Sequence, residues 1–345
     1  MYVLKKSRYF IPIFEISTVF FMKKYLLFVF LTISVGLFAQ QEPQFSQYMF
    51  SNLIINPGYA GISNSICVTL MGRQQWLGFK QFDYNGSTSQ AGPQTFLLAV
   101  DAPVRIFHGG VGVTVLKDKL GFEDNIGAKL SYAYHLNIGT GKLGIGINFG
   151  ILNKTIDFSK LKPIDPSDPL LLPKNKRSDL LFDISAGLYY RMPDKFYAGI
   201  STSQLIESKG KTTKTATSLK RHYYITGGYE YMFPNNPSFV LIPSALIKTD
   251  FKSAQYDISV LLEYNKLVWG GVSYRVQDAV MILLGMEYKN FNIGLSYDIT
   301  TSAIGREKRS SGTLELMLKY CFQIHPPHYT RSYRNTRFLD DSNNK

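Results

Sequence analysis

Long hydrophobic runs are almost absent from this sequence. One lies near the N-terminus, at residues 25–38, and nowhere else do the 345 residues offer the roughly 20 consecutive apolar positions of a membrane-crossing helix. A helical membrane bundle is therefore excluded. Charge is also scarce, with Asp, Glu, Lys and Arg at 18 % against about 25 % in ordinary soluble domains. There are two cysteines, Cys67 and Cys321, and five histidines: His108, His135, His222, His325 and His328. His325 and His328 form a His-Pro-Pro-His run with no Cys or carboxylate cluster at metal-ligand spacing, which argues against a metal centre. The sequence has no Gly-x-Ser-x-Gly elbow, and no Gly-rich phosphate loop leads from a strand into a helix. A nucleophile needs an ordered base beside it, and His135, on the lumenal register of its strand, would not face a lipid substrate. These absences argue against catalysis and against a cofactor.

Aromatic residues and glycine are what the sequence has in quantity: 23 Tyr, 24 Phe and 28 Gly. Aromatic richness without long apolar runs suits strands that are apolar on alternate residues and rimmed by aromatic girdles. The N-terminus has the order of a secretory leader: a basic start at Met22-Lys23-Lys24, the apolar stretch 25–38, and the small Ala39 at the cleavage point. Met22 opens a complete leader by itself, so residues 1–21 are expected to precede the true start. The net charge is +13. Without the five Lys/Arg and one Glu of residues 1–39, 33 positive groups stand against 24 negative ones, or +9. For an exported chain, anionic lipid headgroups and acidic partners explain this charge better than nucleic acid does.

A wall strand of a barrel has a period of two. Ile126, Ala128, Leu130, Tyr132, Tyr134 and Leu136 share one face, while Gly127, Lys129, Ser131, Ala133 and His135 take the other. Residues 143–151, 291–299 and 314–322 alternate in the same way, and none follows a helical period of 3.6. About fourteen strands are expected, near 65–76, 92–102, 109–117, 125–138, 142–156, 180–191, 195–203, 221–233, 238–249, 254–264, 267–275, 279–288, 291–300 and 313–322. The ninth is doubtful because Pro243 removes a ladder donor. Links after even-numbered strands are mostly tight, whereas 77–91, 157–179, 204–220 and 301–312 all follow odd-numbered ones. Outer-membrane barrels have short periplasmic turns and longer outer loops, so a chain entering from the periplasm satisfies this parity. The expected fold is an all-β, transmembrane antiparallel β-barrel over 65–322. Residues 40–64 would be an N-terminal plug or periplasmic segment, and 323–345 a periplasmic tail.

Several motifs carry a resemblance to a known family. Phe45-Ser46-Gln47-Tyr48-Met49-Phe50, then Asn56-Pro57-Gly58-Tyr59-Ala60-Gly61, resembles the opening motif of the PorP/SprF family of the type IX secretion system. Arg73-Gln74-Gln75-Trp76-Leu77-Gly78, Lys117-Asp118-Lys119-Leu120-Gly121, Gly294-Leu295-Ser296-Tyr297-Asp298 and Tyr333-Arg334-Asn335-Thr336-Arg337-Phe338 resemble later blocks of that family in order. Gly58 stands where the family commonly has Ala, a change that reads as conservative. The resemblance implies an outer-membrane protein without known catalysis that supports secretion or anchors a large surface adhesin. Its implied partners are other secretion components and periplasmic ring or peptidoglycan-binding proteins. Phe45, Gln47, Tyr48, Asn56, Pro57, Tyr59, Gly61, Arg73 and Trp76 are the candidate partner-binding or plug residues.

Three further expectations come from the residues themselves. The aromatic side chains of 42–62 gain by burial, so this segment either packs into the barrel or docks a partner. Closure makes the first and last strands neighbours, which brings Cys67 and Cys321 close on a shared polar face, with a disulfide possible in the exported compartment. The lumenal Lys129, His135, Asp183, Arg191, Glu230, Asp257, Glu263 and Arg275 either line a wet pore or fill the barrel as an ionic network. The first alternative leaves open an outer-membrane porin or solute transporter. The basic loop 209–221 and the basic, aromatic tail (Tyr329, Arg331, Tyr333, Arg334, Arg337, Phe338) are candidate contact strips for phosphates or partners.

Overall fold

The computed structural model describes residues 42–82, 88–160, 176–210, 218–307 and 309–323. The expected leader at 1–39, the Pro-rich stretch 161–173, Lys211, Lys214 and the tail beyond residue 323 lie outside the described residues. Alternation of apolar and small or polar residues builds fourteen wall strands: β1 (Ser65–Gln74), β2 (Gln94–Val104), β3 (Gly109–Leu120), β4 (Glu123–Ile138), β5 (Gly141–Asp157), β6 (Lys176–Met192), β7 (Phe196–Ser203), β8 (His222–Tyr229, resumed at Tyr231–Phe233), β9 (Asn236–Thr249), β10 (Ala254–Tyr264), β11 (Val268–Arg275), β12 (Ala279–Tyr288), β13 (Phe291–Thr300) and β14 (Thr313–Gln323). Each pairs antiparallel with its neighbours in sequence, and β1 pairs with β14, so the sheet closes. Among the described residues no helix is long and apolar enough to cross a membrane.

The lipid face and the lumen separate by parity. On β13, Phe291, Ile293, Leu295, Tyr297 and Ile299 are exposed, whereas Ser296 and Asp298 are buried inside. Exposed aromatics gather at the ends joined by short turns: Tyr134, Phe196, Tyr229, Tyr264, Tyr288, Phe291 and Phe322. That ring has the composition of an interfacial girdle. Pro243 stays in β9 opposite Val260 of β10. On its other side the β8–β9 ladder stops between Gly228↔Ser244 and Tyr231↔Leu241. The missing donor therefore falls where β8 is itself interrupted, and Glu230 N instead donates to Lys195 O at 2.7 Å.

Several strands run farther than their sequence limits suggest. β3 reaches Leu120, β4 starts at Glu123, and β6 starts at Lys176 rather than near 180, which raises one side of the barrel into the outer loops. The link after β1 also differs from a plain loop, because Lys80–Phe82 and Thr88–Gln90 pair as a small separate hairpin.

Candidate functional site

Residues 42–64 lie inside the barrel, in short helical turns at Tyr48–Phe50, Asn52–Ile55 and Pro57–Tyr59. Pro57 and the glycines on either side of Tyr59 rule out an extended run, so the segment folds on itself and presents side chains in every direction. Phe45, Tyr48, Leu53, Tyr59 and Ile62 are all buried. By strand position, Glu42 meets the long-loop ends of the wall, expected to face outward, and Asn64 the short-turn ends, so the segment runs the length of the lumen.

Ions hold the upper part. Both oxygens of Glu315 accept backbone N–H groups, from Ser46 at 2.8 Å and Gln47 at 2.9 Å. Arg73 donates to Ser46 Oγ at 2.5 Å and pairs with Glu315 at 2.9 Å and Asp298 at 2.8 Å. Arg275, paired with Asp257 at 2.9 Å, reaches the Phe45 carbonyl at 3.5 Å. The Glu42 carboxylate accepts from Tyr224 Oη at 2.5 Å and Gln204 Nε2 at 2.8 Å. Lys129 lies 3.5 Å from Glu42 and 2.8 Å from Asp183. Lys248 donates to the Glu42 carbonyl at 2.9 Å. Buried charges survive only when paired and hydrogen-bonded, and the segment completes these pairs with its own backbone.

Shape holds the lower part. Asn56 donates to Leu188 O at 2.9 Å and Ile200 O at 3.3 Å, and its Oδ1 accepts from Gly58 N at 2.9 Å. Ser201 donates to Ile55 O at 2.5 Å. Gly61 N donates to Asp101 at 3.1 Å, His135 Nε2 to Ala60 O at 2.9 Å, and Lys142 to Asn64 at 2.5 Å. The wall here is glycine: any Cβ on Gly110, Gly144 or Gly146 would strike the backbone of residues 57–61. In return, a Cβ on Gly58 would stand 2.7 Å from Gly144 O. The Gly at 58 is therefore not a conservative replacement for Ala in this barrel, because two backbones touch there. Gly61 adopts φ +66 and also lies against Ala102, which leaves no room for a side chain. Tyr59 sits edge-on to Tyr189 at 5.2 Å, and Tyr189 stacks on Tyr197 at 5.9 Å.

The candidate residues divide accordingly. Phe45, Gln47, Tyr48, Asn56, Pro57, Tyr59 and Gly61 are in the lumenal segment, Tyr48 with its hydroxyl 3.1 Å from Ser244 Oγ, and Arg73 is its wall partner. Trp76 is apart from them, in the outer loop, with φ +52, its N–H on Thr313 at 3.2 Å and its ring 5.8 Å from Phe79. Cys67 and Cys321 face each other in the β1–β14 register with Cα atoms 4.1 Å apart and the sulfurs at bonding distance. Of the lumenal charges, Lys129, His135, Asp183, Asp257 and Arg275 belong to the network around the segment. Arg191 and Glu230 lie 3.7 Å apart lower down, and Glu263 is half-buried on the β10 wall. Arg221 of the basic loop donates to Leu205 O at 2.9 Å. Glu42, Ser46, Asp101, Ser201, Tyr224 and Lys248 were not singled out in the sequence. Parity alone could have flagged Asp101 and Asp298 as lumenal acids. Among the described residues no group of three or more His, Cys, Asp or Glu could hold a metal ion.

Comparison with known proteins agrees with the motifs. The family described as type IX secretion system membrane protein PorP/SprF matches residues 37–320. No curated protein matches the chain. Among solved structures, the Pseudomonas putida toluene transporter TodX is similar at 11% identity and TM-score 0.48, covering 79% of this chain and 93% of its own. A Pseudomonas aeruginosa FadL homologue stands at 12% identity and TM-score 0.42, covering 78% and 93%. The Acinetobacter baumannii outer membrane protein Omp33 stands at 8% and 0.42, covering 75% and 99%.

Proposed function

Since the chain belongs to the PorP/SprF family of type IX secretion system membrane proteins, we propose that it works in the outer membrane through protein contacts, supporting the secretion or surface anchoring of a large exported protein such as an adhesin. The observation that carries this reading is the lumenal segment. A diffusion pore needs a water-filled passage, and the interior of an outer-membrane barrel is either such a channel or is plugged by added chain. Here residues 42–64 cross the lumen and are bonded to the wall at both ends. With the passage occupied, the outer loops and the periplasmic ends remain as working surfaces. Periplasmic ring or peptidoglycan-binding proteins are the proposed partners below, and the exported protein above.

Crosslinking in native outer membranes tests this. Recovery of secretion-ring, peptidoglycan-linked or adhesin proteins is the expected result. A chain recovered alone, with solute conductance in planar bilayers, would instead establish a porin.

A further inference from the structure

The lumenal segment does not meet the wall everywhere. Between it and the outer halves of β3–β5 lies a cavity of about 330 Å³. Its rim is formed by Leu120, Glu123, Lys154 and, on the far side, Ser218–Lys220, so it faces outward. The wall is unusual for the inside of a barrel, because Leu116, Leu120 and Leu152 point into the space beside Gly127 and Gly150. Ile54 and Ile55 of the segment form an apolar floor.

The opposite corner is cationic. Lys248 is 5 % exposed, and its ammonium donates to one neutral acceptor, the Glu42 carbonyl, and stands 6.0 Å from the centre of the Tyr224 ring. It takes part in no ion pair among the described residues, unlike Lys129 and Lys154 of the same cavity, which pair with Asp183 at 2.8 Å and Glu123 at 3.0 Å. Lys220 stands at the same corner. A buried ammonium with donors to spare, on the wall of a cavity, is a site for an anion. The acids around the cavity have hydrogen-bond or ion-pair partners of their own: Glu42 with Tyr224 and Gln204 and 3.5 Å from Lys129, Asp257 with Arg275, and Asp118 with Thr95 at 2.7 Å.

We propose that this cavity binds an amphipathic carboxylate, with the head at Lys248 and the apolar chain along Leu116 and Leu152. The volume sets the size: a cavity of about 150 Å³ holds benzene, so this one has room for roughly ten to twelve carbons. The site is independent of the secretion role, since neither its walls nor its charges depend on a protein partner.

The test uses the mature chain in lipid nanodiscs, with dodecanoate and dodecanol competing against a fluorescent undecanoate, and empty discs as the blank. Wild type should show one saturable site that prefers dodecanoate to dodecanol by roughly tenfold or more, the scale of a charge-assisted hydrogen bond. Lys248→Met should remove that preference while dodecanol binding persists. Leu152→Trp, which fills the cavity, should abolish binding of both. Heat-modifiable migration on gels shows that each variant is a folded barrel. Binding no greater than to empty discs, equal affinity for the acid and the alcohol, or an unchanged site in folded Leu152→Trp would each overturn the proposal.

Discussion

The two halves of the lumenal segment are anchored by different physics. Residues 42–52 rest on ion pairs and charge-assisted hydrogen bonds, centred on Glu315, Arg73 and Glu42. Residues 53–64 rest mainly on backbone-to-backbone contact with a glycine wall and on bonds to carbonyl groups, with charged partners only at Gly61 and Asn64. The upper half also carries polar atoms with no partner: both ends of the Gln47 amide, Ser51 Oγ and Asn52 Oδ1. The lower half has none. An under-satisfied polar set is costly when dry, so the upper half is the one whose release the molecule resists least once its ions are broken. Close packing leaves the lower half no intermediate position.

Four changes would break or sharpen that contrast. Arg73→Met leaves Glu315 and Asp298 buried without their cation, and losing one partner of a buried pair costs about 3–5 kcal/mol. Urea unfolding in vesicles should show the loss, with new protease cuts confined to residues 42–52. Cuts in 53–64 instead would mean that the halves are not separate. Cys67→Ser with Cys321→Ser comes next. These residues sit toward one end of the same two strands that carry Arg73 and Glu315 toward the other. If the seam is covalently closed, removing the bond costs about 2–4 kcal/mol. Thiol titration of the unfolded wild type should find no free cysteine, and two free thiols would end the idea.

Gly146→Leu tests the lower half, because overpacking costs about 1–3 kcal/mol. It should displace residues 56–61 and raise bilayer conductance while the upper ion pairs persist. A silent variant in bilayers and in urea would show that shape is not what seats this half. Asn56→Ala should have the smallest effect. It removes donors to two strand carbonyls and the bond from Gly58 N, and a net hydrogen bond contributes about 0.5–1.5 kcal/mol. A loss as large as that of Arg73→Met would put the dominant anchor below rather than above.

Much of the fold was legible in the residues, for a simple reason. Alternation at a period of two is forced on any strand with lipid on one side and lumen on the other, and tight turns after even-numbered strands follow from crossing a membrane twice per hairpin. Ile126 to Leu136 and Phe291 to Ile299 show it residue by residue. The limits of β3, β4 and β6 were less legible, since Asp118, Lys119, Asp124 and Ser178 look like loop residues yet stay in the ladder beyond the apolar band. Pro243 looked like a reason to doubt β9, and only the interruption of β8 beside it accounts for its tolerance.

By itself, then, the sequence determined the wall: strand number, faces, turn parity and the neighbourhood of Cys67 and Cys321, because those follow from local periodicity and closure. It also marked residues 42–62 as too aromatic to be a loose tail. Tertiary structure alone decided which wall positions receive them. Glu315 meeting Ser46 and Gln47, Gly144 touching Gly58, and Lys248 left with a single neutral acceptor all join residues more than 80 positions apart. No local period encodes such contacts, since they depend on how a folded segment fits a particular closed cylinder.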